Sequence, residues 1–371
     1  MENTSESDDY YIDYYYNYDN NNASDFNMTE ACDATQLPFQ KYLIPALYFL
    51  VFFIGLLGNL LVILILNSKQ SCKRRLVDTF VIHLAAADLV FVCTLPLWSV
   101  SAAHDHQWDF GNFLCKVSSY VIAVNRYSNI FFLACMSVDR YMAIVKMLDS
   151  RFLRNNRCVQ ITCCVIWVSS VLLGTPALVY RNVSEEEDGR LICSEDSRST
   201  FFSSISLLSL VLAFVLPLAV ILFCYCSTLA KLRRHRLHQS AKTDLKRRHS
   251  IRMVFSIIAA FVISWLPFNV FKSIHLVSNL REASLSCSLQ TALRWGLVIS
   301  SCLAFFNSCA NPIIYFWLDN HFRHRAKDVC LGLFSSSHRS TAPSVSGAAT
   351  DSTGSTASRT RLPSVLLTQP K

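Results

Sequence analysis

Charge is scarce in this chain. Only 16% of its 371 residues are Asp, Glu, Lys or Arg, against 52% hydrophobic, where about 25% charged is usual for a soluble globular protein. Too few charges remain to cover a water-facing surface of this size, and lipid is the expected solvent. An apolar stretch close behind Met1 is also missing: an acidic polar tail follows instead. That excludes a cleavable signal peptide and leaves the first hydrophobic segment to direct insertion. A catalytic grouping is absent too. The histidines are scattered, and no nucleophile has a recognisable base and oxyanion partner, so the chain does not read as an enzyme.

What the sequence has is long apolar blocks. Residues 42–66 carry no charged side chain and exceed the roughly 20 residues at 1.5 Å each that cross a hydrocarbon core. Comparable blocks cover 76–103, 113–145, 158–179, 201–229, 253–277 and 289–318. The expected fold is an all-α membrane protein, a seven-transmembrane helix bundle over 42–318. Before it lies a disordered acidic extracellular tail, 1–41. A short amphipathic C-terminal helix, 319–334, would lie in the interface, with Phe322, Ala326, Cys330 and Leu333 on one face opposite Arg323, Arg325 and Lys327. A disordered Ser/Thr-rich cytoplasmic tail, 335–371, ends the chain.

Orientation follows from charge. Lys69, Lys73, Arg74 and Arg75, then Lys146, Arg151, Arg154 and Arg157, then the basic run from Lys231 to Arg252, fall on one side, which the positive-inside rule makes cytoplasmic. Asp8, Asp9, Asp13 and Asp19, and Glu185 to Asp188, fall on the other. The glycosylation triplets beginning at Asn3, Asn22, Asn27 and Asn182 all sit on that outer face. The net charge of +8 is then an inside feature suited to anionic lipid, and no nucleic-acid partner is expected.

Most of the fifteen cysteines lie within the spans and read as buried apolar side chains. Cys32, Cys115, Cys193 and Cys287 face outward and permit three pairings. Cys115 and Cys193 can reach each other with little strain, which leaves Cys32 with Cys287. Cys330 lies on the inner side, where palmitoylation would anchor the interfacial helix.

Polar residues inside the spans carry the functional reading. Asp88 needs partners at mid-membrane, and Asn59, Asn125, Asn129, Asn307, Ser308 and Asn311 are available. Their oxygens suit a sodium-type cation site; the alternative is a static polar network joining helices. Asp139, Arg140 and Tyr141 close the third span at its inner end. Pro176, Pro217, Pro267 and Pro312 fall inside spans, where each removes a backbone hydrogen bond and bends the helix. Trp265 lies beside one such bend and Tyr315 beside another.

Together these features resemble the rhodopsin-like G-protein-coupled receptors over residues 42–333. The landmarks run in order: Asn59 in Gly-Asn-Leu-Leu-Val, Asp88, Arg140 in Asp-Arg-Tyr, Trp167, Pro217, Pro267 after Trp265, and Pro312 in Asn-Pro-Ile-Ile-Tyr. The acidic Tyr-rich tail, Thr94-Leu95-Pro96, Trp108-Asp109-Phe110-Gly111 and the extra Cys32 and Cys287 look like the chemokine, angiotensin and apelin receptor cluster. The resemblance implies an agonist-driven switch. Trp265 and the Pro267 bend would shift, the inner end of span six would swing out, and Arg140, Tyr225 and Tyr315 would line a G-protein cavity. It further implies a plasma-membrane protein with its N-terminus outside, coupled to an inhibitory-type heterotrimeric G protein, with arrestin and receptor kinases acting on the inner tail. Many relatives place an acid at the inner end of span six to lock Arg140; this chain has Arg247, Arg248 and His249, and basal activity is expected.

Ile122 stands where an amine receptor has Asp, and Phe305 where a visual pigment has its lysine. Arg126, one turn below Ile122, wants an anionic partner. That partner is either a ligand carboxylate, such as a peptide C-terminus, with Lys272 and Arg294 nearer the entrance, or an internal polar group. Tyr10, Tyr11, Tyr14, Tyr15, Tyr16 and Tyr18, interleaved with aspartates, form either a sulfated lure for a basic partner or a solvated spacer. An extracellular peptide or chemokine-like protein is the expected ligand. The alternatives are a small anionic or lipid ligand, and a scavenging receptor that does not signal. A transporter fits least, since no inverted repeat appears.

Overall fold

A computed structural model describes residues 40–68, 76–145, 156–186, 189–195, 200–234, 241–281, 285–320 and 322–329. Seven helical spans cover Gln40–Asn67, Val77–Ala103, Gly111–Ile144, Arg157–Tyr180, Thr200–Lys231, Arg252–Leu280 and Cys287–Leu318. Each is a run in which every backbone donor and acceptor must be satisfied internally, which in hydrocarbon leaves the helix as the available form. Leu57, Leu61 and Leu64 on the first span, Ile161, Val165 and Leu172 on the fourth and Phe223 on the fifth are exposed aliphatic and aromatic side chains. In water they would be a liability; against acyl chains they are the expected surface. The third span packs against the second, fourth, fifth and sixth. Its buried Ile130, Phe132, Leu133 and Met136 share one core with Leu84, Ile257 and Phe261.

Helix shape follows the prolines. The second span breaks between Val92 and Leu95, where Pro96 has no N–H to give the Val92 carbonyl; the Thr94 hydroxyl instead donates to the Phe91 carbonyl at 2.7 Å. In the fifth span a π-helical turn, Val211–Val215, precedes Pro217, and the Leu216 N–H reaches back to the Val211 carbonyl. The extra residue per turn takes up the ladder position that Pro217 cannot fill. Two glycines permit close approach. A Cβ on Gly58 would lie 2.9 Å from Pro312 of the seventh span, and one on Gly296 would lie 2.6 Å from the Phe271 ring of the sixth.

The described chain is not purely helical. The outer loop between spans four and five forms an antiparallel hairpin, β1 Arg181–Glu185 with β2 Leu191–Glu195, in which Val183 faces Cys193. Its tight turn contains Gly189 at φ +81°, a backbone region that glycine enters without steric cost. The first outer loop docks on the hairpin edge. The Trp108 N–H donates to the Leu191 carbonyl at 2.7 Å, and the fully buried Trp108 ring lies 4.8 Å from that of Trp98. Just before it, Asp105 and His106 take φ of +53° and +68°, left-handed values that Asp and His enter more readily than most residues. Lys41 pairs with the Asp105 carboxylate at 2.8 Å, and Arg190 donates to the Asp105 carbonyl at 2.8 Å.

Beyond the last span, residues 322–329 form a short helix. Phe322 is buried against Tyr315. The amphipathic reading is corrected at one position. Arg325, expected on the polar face with Arg323 and Lys327, is 4% exposed and pairs with Asp78, itself 1% exposed, at 3.1 Å. Asp78 opens the second span, so the guanidinium turns inward to a carboxylate that helical periodicity alone does not reveal. Cys330 and the remainder of the expected 319–334 helix lie outside the described residues.

The two ion pairs differ in environment. Removing one partner of a buried pair strands a charge and costs about 3–5 kcal/mol, whereas an exposed pair such as Lys41–Asp105, with side chains 48% and 46% exposed, is worth about 0–1 kcal/mol. Thermal unfolding of purified protein should therefore show a clear loss for Asp78→Asn and little change for Lys41→Ala. Equal melting temperatures for the two variants would contradict the buried pairing.

Candidate functional site

Two polar constellations occupy the bundle. The inner one centres on Asp88, which is fully buried. Its Oδ1 accepts from the Asn125 amide at 2.9 Å, the Asn129 amide at 3.0 Å and the Ser308 hydroxyl at 2.9 Å; its Oδ2 accepts from the Asn311 amide at 3.0 Å. Asn59 ties the same region to the first span, its amide donating to the Gly55 and Ser308 carbonyls. Because the amides turn their N–H groups toward the carboxylate and the backbone, their carbonyl ends are left over. The Oδ1 atoms of Asn59, Asn129, Asn307 and Asn311 are buried without a hydrogen-bond donor. The surplus is thus one of acceptors around a carboxylate, a set that fits a small hard cation with water. Asn307 is buried beside Ser308, whereas the side-chain donors to Asp88 are Asn125, Asn129, Ser308 and Asn311.

The switch residues lie where their helices put them. Arg140 pairs with its neighbour Asp139 at 2.9 Å, and the Tyr141 ring lies 5.8 Å from Phe223 of the fifth span. Tyr225 is buried near Ser137 and Arg140. Trp265 is buried between Phe261 and Phe268, and Pro267 and Pro312 are inside their helices. Trp167 donates from its indole to His83 Nδ1 at 3.2 Å. Arg247, Arg248 and His249 lie on a helical stretch, with side chains outside the described set.

The outer constellation is a cavity of about 270 Å3 with Trp265 and Phe261 among its apolar lining. Among the described residues, four charged side chains line it: Arg126, Arg181, Lys272 and Glu195. Arg126 donates to the Tyr127 hydroxyl at 2.8 Å and stacks on that ring. The Glu195 carboxylate stands 3.9 Å from both Arg181 and Lys272. Burial pushes the Glu195 carboxyl up to about 7, even though Arg181 and Arg126 favour its ionised form. His106 also lines the cavity, beside Gln40 at 3.3 Å; burial holds its imidazole down at about 4, so it is neutral near pH 7. Arg294 is half-buried but does not line the cavity.

A disulfide joins Cys115 to Cys193, with the Cα atoms 5.6 Å apart. It fixes the hairpin above the third span and so brings Glu195, two residues on, into the cavity. Glu195, Arg181, His106 and Tyr127 were not among the expected site residues. The disulfide was the available signal for Glu195, because a residue two places past Cys193 must hang near the outer end of span three. Asn182 is exposed on β1, as a glycosylation acceptor requires. Cys287 opens the last span; Cys32, Asn3, Asn22, Asn27, Tyr10, Tyr11, Tyr14, Tyr15 and Tyr16 lie outside the described residues.

Comparison with known proteins agrees with this architecture. Residues 58–315 match the 7 transmembrane receptor (rhodopsin family) family. The chain is 45% identical to the probable G-protein coupled receptor 25 of Mus musculus over 311 residues, 84% of each chain. It is 38% identical to G-protein coupled receptor 15 of Mus musculus over 80% of this chain and 81% of that one. It is 38% identical to apelin receptor A of Danio rerio over 89% of this chain and 91% of that one. A seven-span bundle, a buried carboxylate hub and a family match across most of the bundle meet in one conclusion: the chain belongs to the rhodopsin family of seven-transmembrane receptors.

Proposed function

We propose that this G-protein-coupled receptor answers to an extracellular peptide or chemokine-like protein, whose acidic end enters the outer cavity while the Tyr-rich tail attracts its basic surface. The observation that carries the reading is the charge of the cavity lining. Among the described residues, three basic side chains, Arg126, Arg181 and Lys272, stand against one carboxylate, Glu195, in a low-dielectric site that favours an added anion. Arg126 is the deep anchor, already held by Tyr127, and Lys272 lines the same cavity. Arg294, outside the cavity lining, is assigned nearer the entrance. A receptor in the plasma membrane with its N-terminus outside would present the cavity to the extracellular medium.

Signalling is a two-state equilibrium that agonist and G protein both bias, so each tightens the other's binding. Agonist pressure on Trp265 works through the Pro267 bend to move the inner end of the sixth span outward. Arg140 then exchanges Asp139 for the entering G protein, of inhibitory type, with Tyr225 and Tyr315 lining the opening. Basal activity follows from the basic Arg247, Arg248 and His249 where a locking acid is common. The Ser/Thr-rich end serves receptor kinases and arrestin, and Cys330 is lipidated. Sodium is held by Asp88 with Asn125, Asn129, Asn307, Ser308 and Asn311, where it supplies a positive charge opposite the carboxylate. The orphaned amide oxygens support that assignment.

Screening secreted basic peptides and chemokines for G-protein activation, with sulfated and unsulfated receptor, tests the ligand class; activation independent of sulfation and restricted to small anionic lipids would refute it. For an active peptide, Arg126→Gln should weaken the free-carboxylate form about 10- to 100-fold, the worth of a charged hydrogen bond, and leave the C-terminally amidated form nearly unchanged. Arg140→Ala should abolish agonist-stimulated nucleotide exchange at normal surface expression; intact exchange removes the role assigned to that arginine. Asp88→Asn should make agonist affinity indifferent to replacing sodium by a bulky organic cation, and persisting sodium dependence would place the ion elsewhere.

A further inference from the structure

The carboxylate of Glu195 lies among the same basic side chains that an incoming anion would use. It hangs from the end of β2, two residues past the disulfide at Cys193. Its side chain is 16% exposed and stands 3.9 Å from Arg181 and Lys272, and Arg126 also contributes to its electrostatic field. Both distances exceed hydrogen-bond range, so the carboxylate is near its cations without a direct hydrogen bond to either.

We propose that Glu195 is a built-in counter-anion of the outer cavity, a tethered carboxylate that competes with the acidic group of a ligand for Arg126, Arg181 and Lys272. The inference rests on the anion-binding reading of the cavity and adds the residue that sets its selectivity. A neutral or basic ligand end leaves the internal pairing undisturbed. A ligand carboxylate replaces it, and Glu195 then moves away or takes up a proton. The receptor thus binds an anion only when the gain exceeds the loss of its own pairing, which raises the threshold against stray small anions outside the cell.

Among the described residues, the titratable and charged groups that share the cavity with Glu195 are Arg126 and Tyr127 on the third span, Arg181 on β1, Lys272 on the sixth span, His106 in the first outer loop and Tyr48 on the first span. His106, held at about 4, stays neutral between pH 6 and 8. Glu195, at about 7, is mostly ionised at pH 8 and mostly neutral at pH 6. Competition is strongest at the higher pH, so anion binding to the native receptor should strengthen as pH falls across that window.

Benzoate is a suitable probe, an aromatic carboxylate ionised at both pH values, with benzamide as its neutral counterpart. Full-length receptor purified in neutral detergent would be melted with each at matched ionic strength. For the native receptor, benzoate should raise Tm above benzamide at pH 6 and barely at pH 8. Glu195→Gln should show the full gain, on the order of 2–4 °C, at both. Arg126→Gln added to Glu195→Gln should remove it. Should Glu195→Gln fail to fold, Glu195→Asp serves: its shorter carboxylate reaches the cations less well, and the pH 8 gain should rise above the native value. If native receptor and Glu195→Gln gain equally at pH 8, while Arg126→Gln abolishes both gains, the cavity takes anions but Glu195 does not compete, and the proposal falls alone. If no form distinguishes benzoate from benzamide, the anion reading of the cavity falls and this proposal with it.

Discussion

A carboxylate in the middle of a lipid-spanning bundle is tolerable only if the protein solvates it, and the arrangement of this receptor's inner half follows from that demand. Asp88 takes donors from the third and seventh spans, while Asn59 ties the first span to the seventh through the Ser308 carbonyl. Four helices are thereby held by one polar node. The apolar effect cannot do this in a membrane, because acyl chains are as apolar as leucine and reward no particular helix pairing. Polar satisfaction and close van der Waals approach must specify the packing. Gly58 against Pro312 and Gly296 against Phe271 are the second of these, and both bring the seventh span against a neighbour.

The outer half is held by different means. Water is near, backbone need not be helical, and a disulfide-anchored hairpin forms the wall. Its partners are the first outer loop and the start of the first span, joined by Lys41, Asp105 and Arg190. The exposed members of that set contribute little individually; the disulfide and the buried Trp98–Trp108 contact carry the positioning. Placing Glu195 in the cavity depends on the covalent link and the strand pairing more than on any ion pair.

The spans were legible because each is an uninterrupted apolar run longer than the membrane is thick, and the observed ends differ from those expected by only a few residues. The Asp88 node was legible because in lipid its partners had to be the few amides and hydroxyls of neighbouring spans. Three features were not. The hairpin strands contain Arg, Asn, Ser and Glu, with little of the β-branched alternation that marks a strand; the disulfide and the docking of the first outer loop hold them. Arg325 and Asp78 are 247 residues apart, and periodicity on one helix says nothing of a carboxylate on another. Pro96 belongs to a family-like string that does not by itself reveal the break in the second span.

Trp265 lies where the outer cavity meets the apolar core. It lines the outer cavity, contacts Phe261 of the inner core, and lies two residues before Pro267. A close-packed interior does not absorb a displaced side chain by compression, so movement of the indole must appear as rearrangement of whole side chains or as bending at a weak point of the helix. Pro267 supplies that weak point, since the sixth span lacks a hydrogen bond there. The close contact of Phe271 with Gly296 braces the outer part of the sixth span against the seventh. With the outer part braced and a missing hydrogen bond below it, the sixth span is weakest at the proline. Charge placement adds direction: the outer cavity is rich in donors and cationic groups, the inner node in orphaned acceptors. The linings of the two sites thus suit opposite charges, and Trp265 belongs to the outer of them.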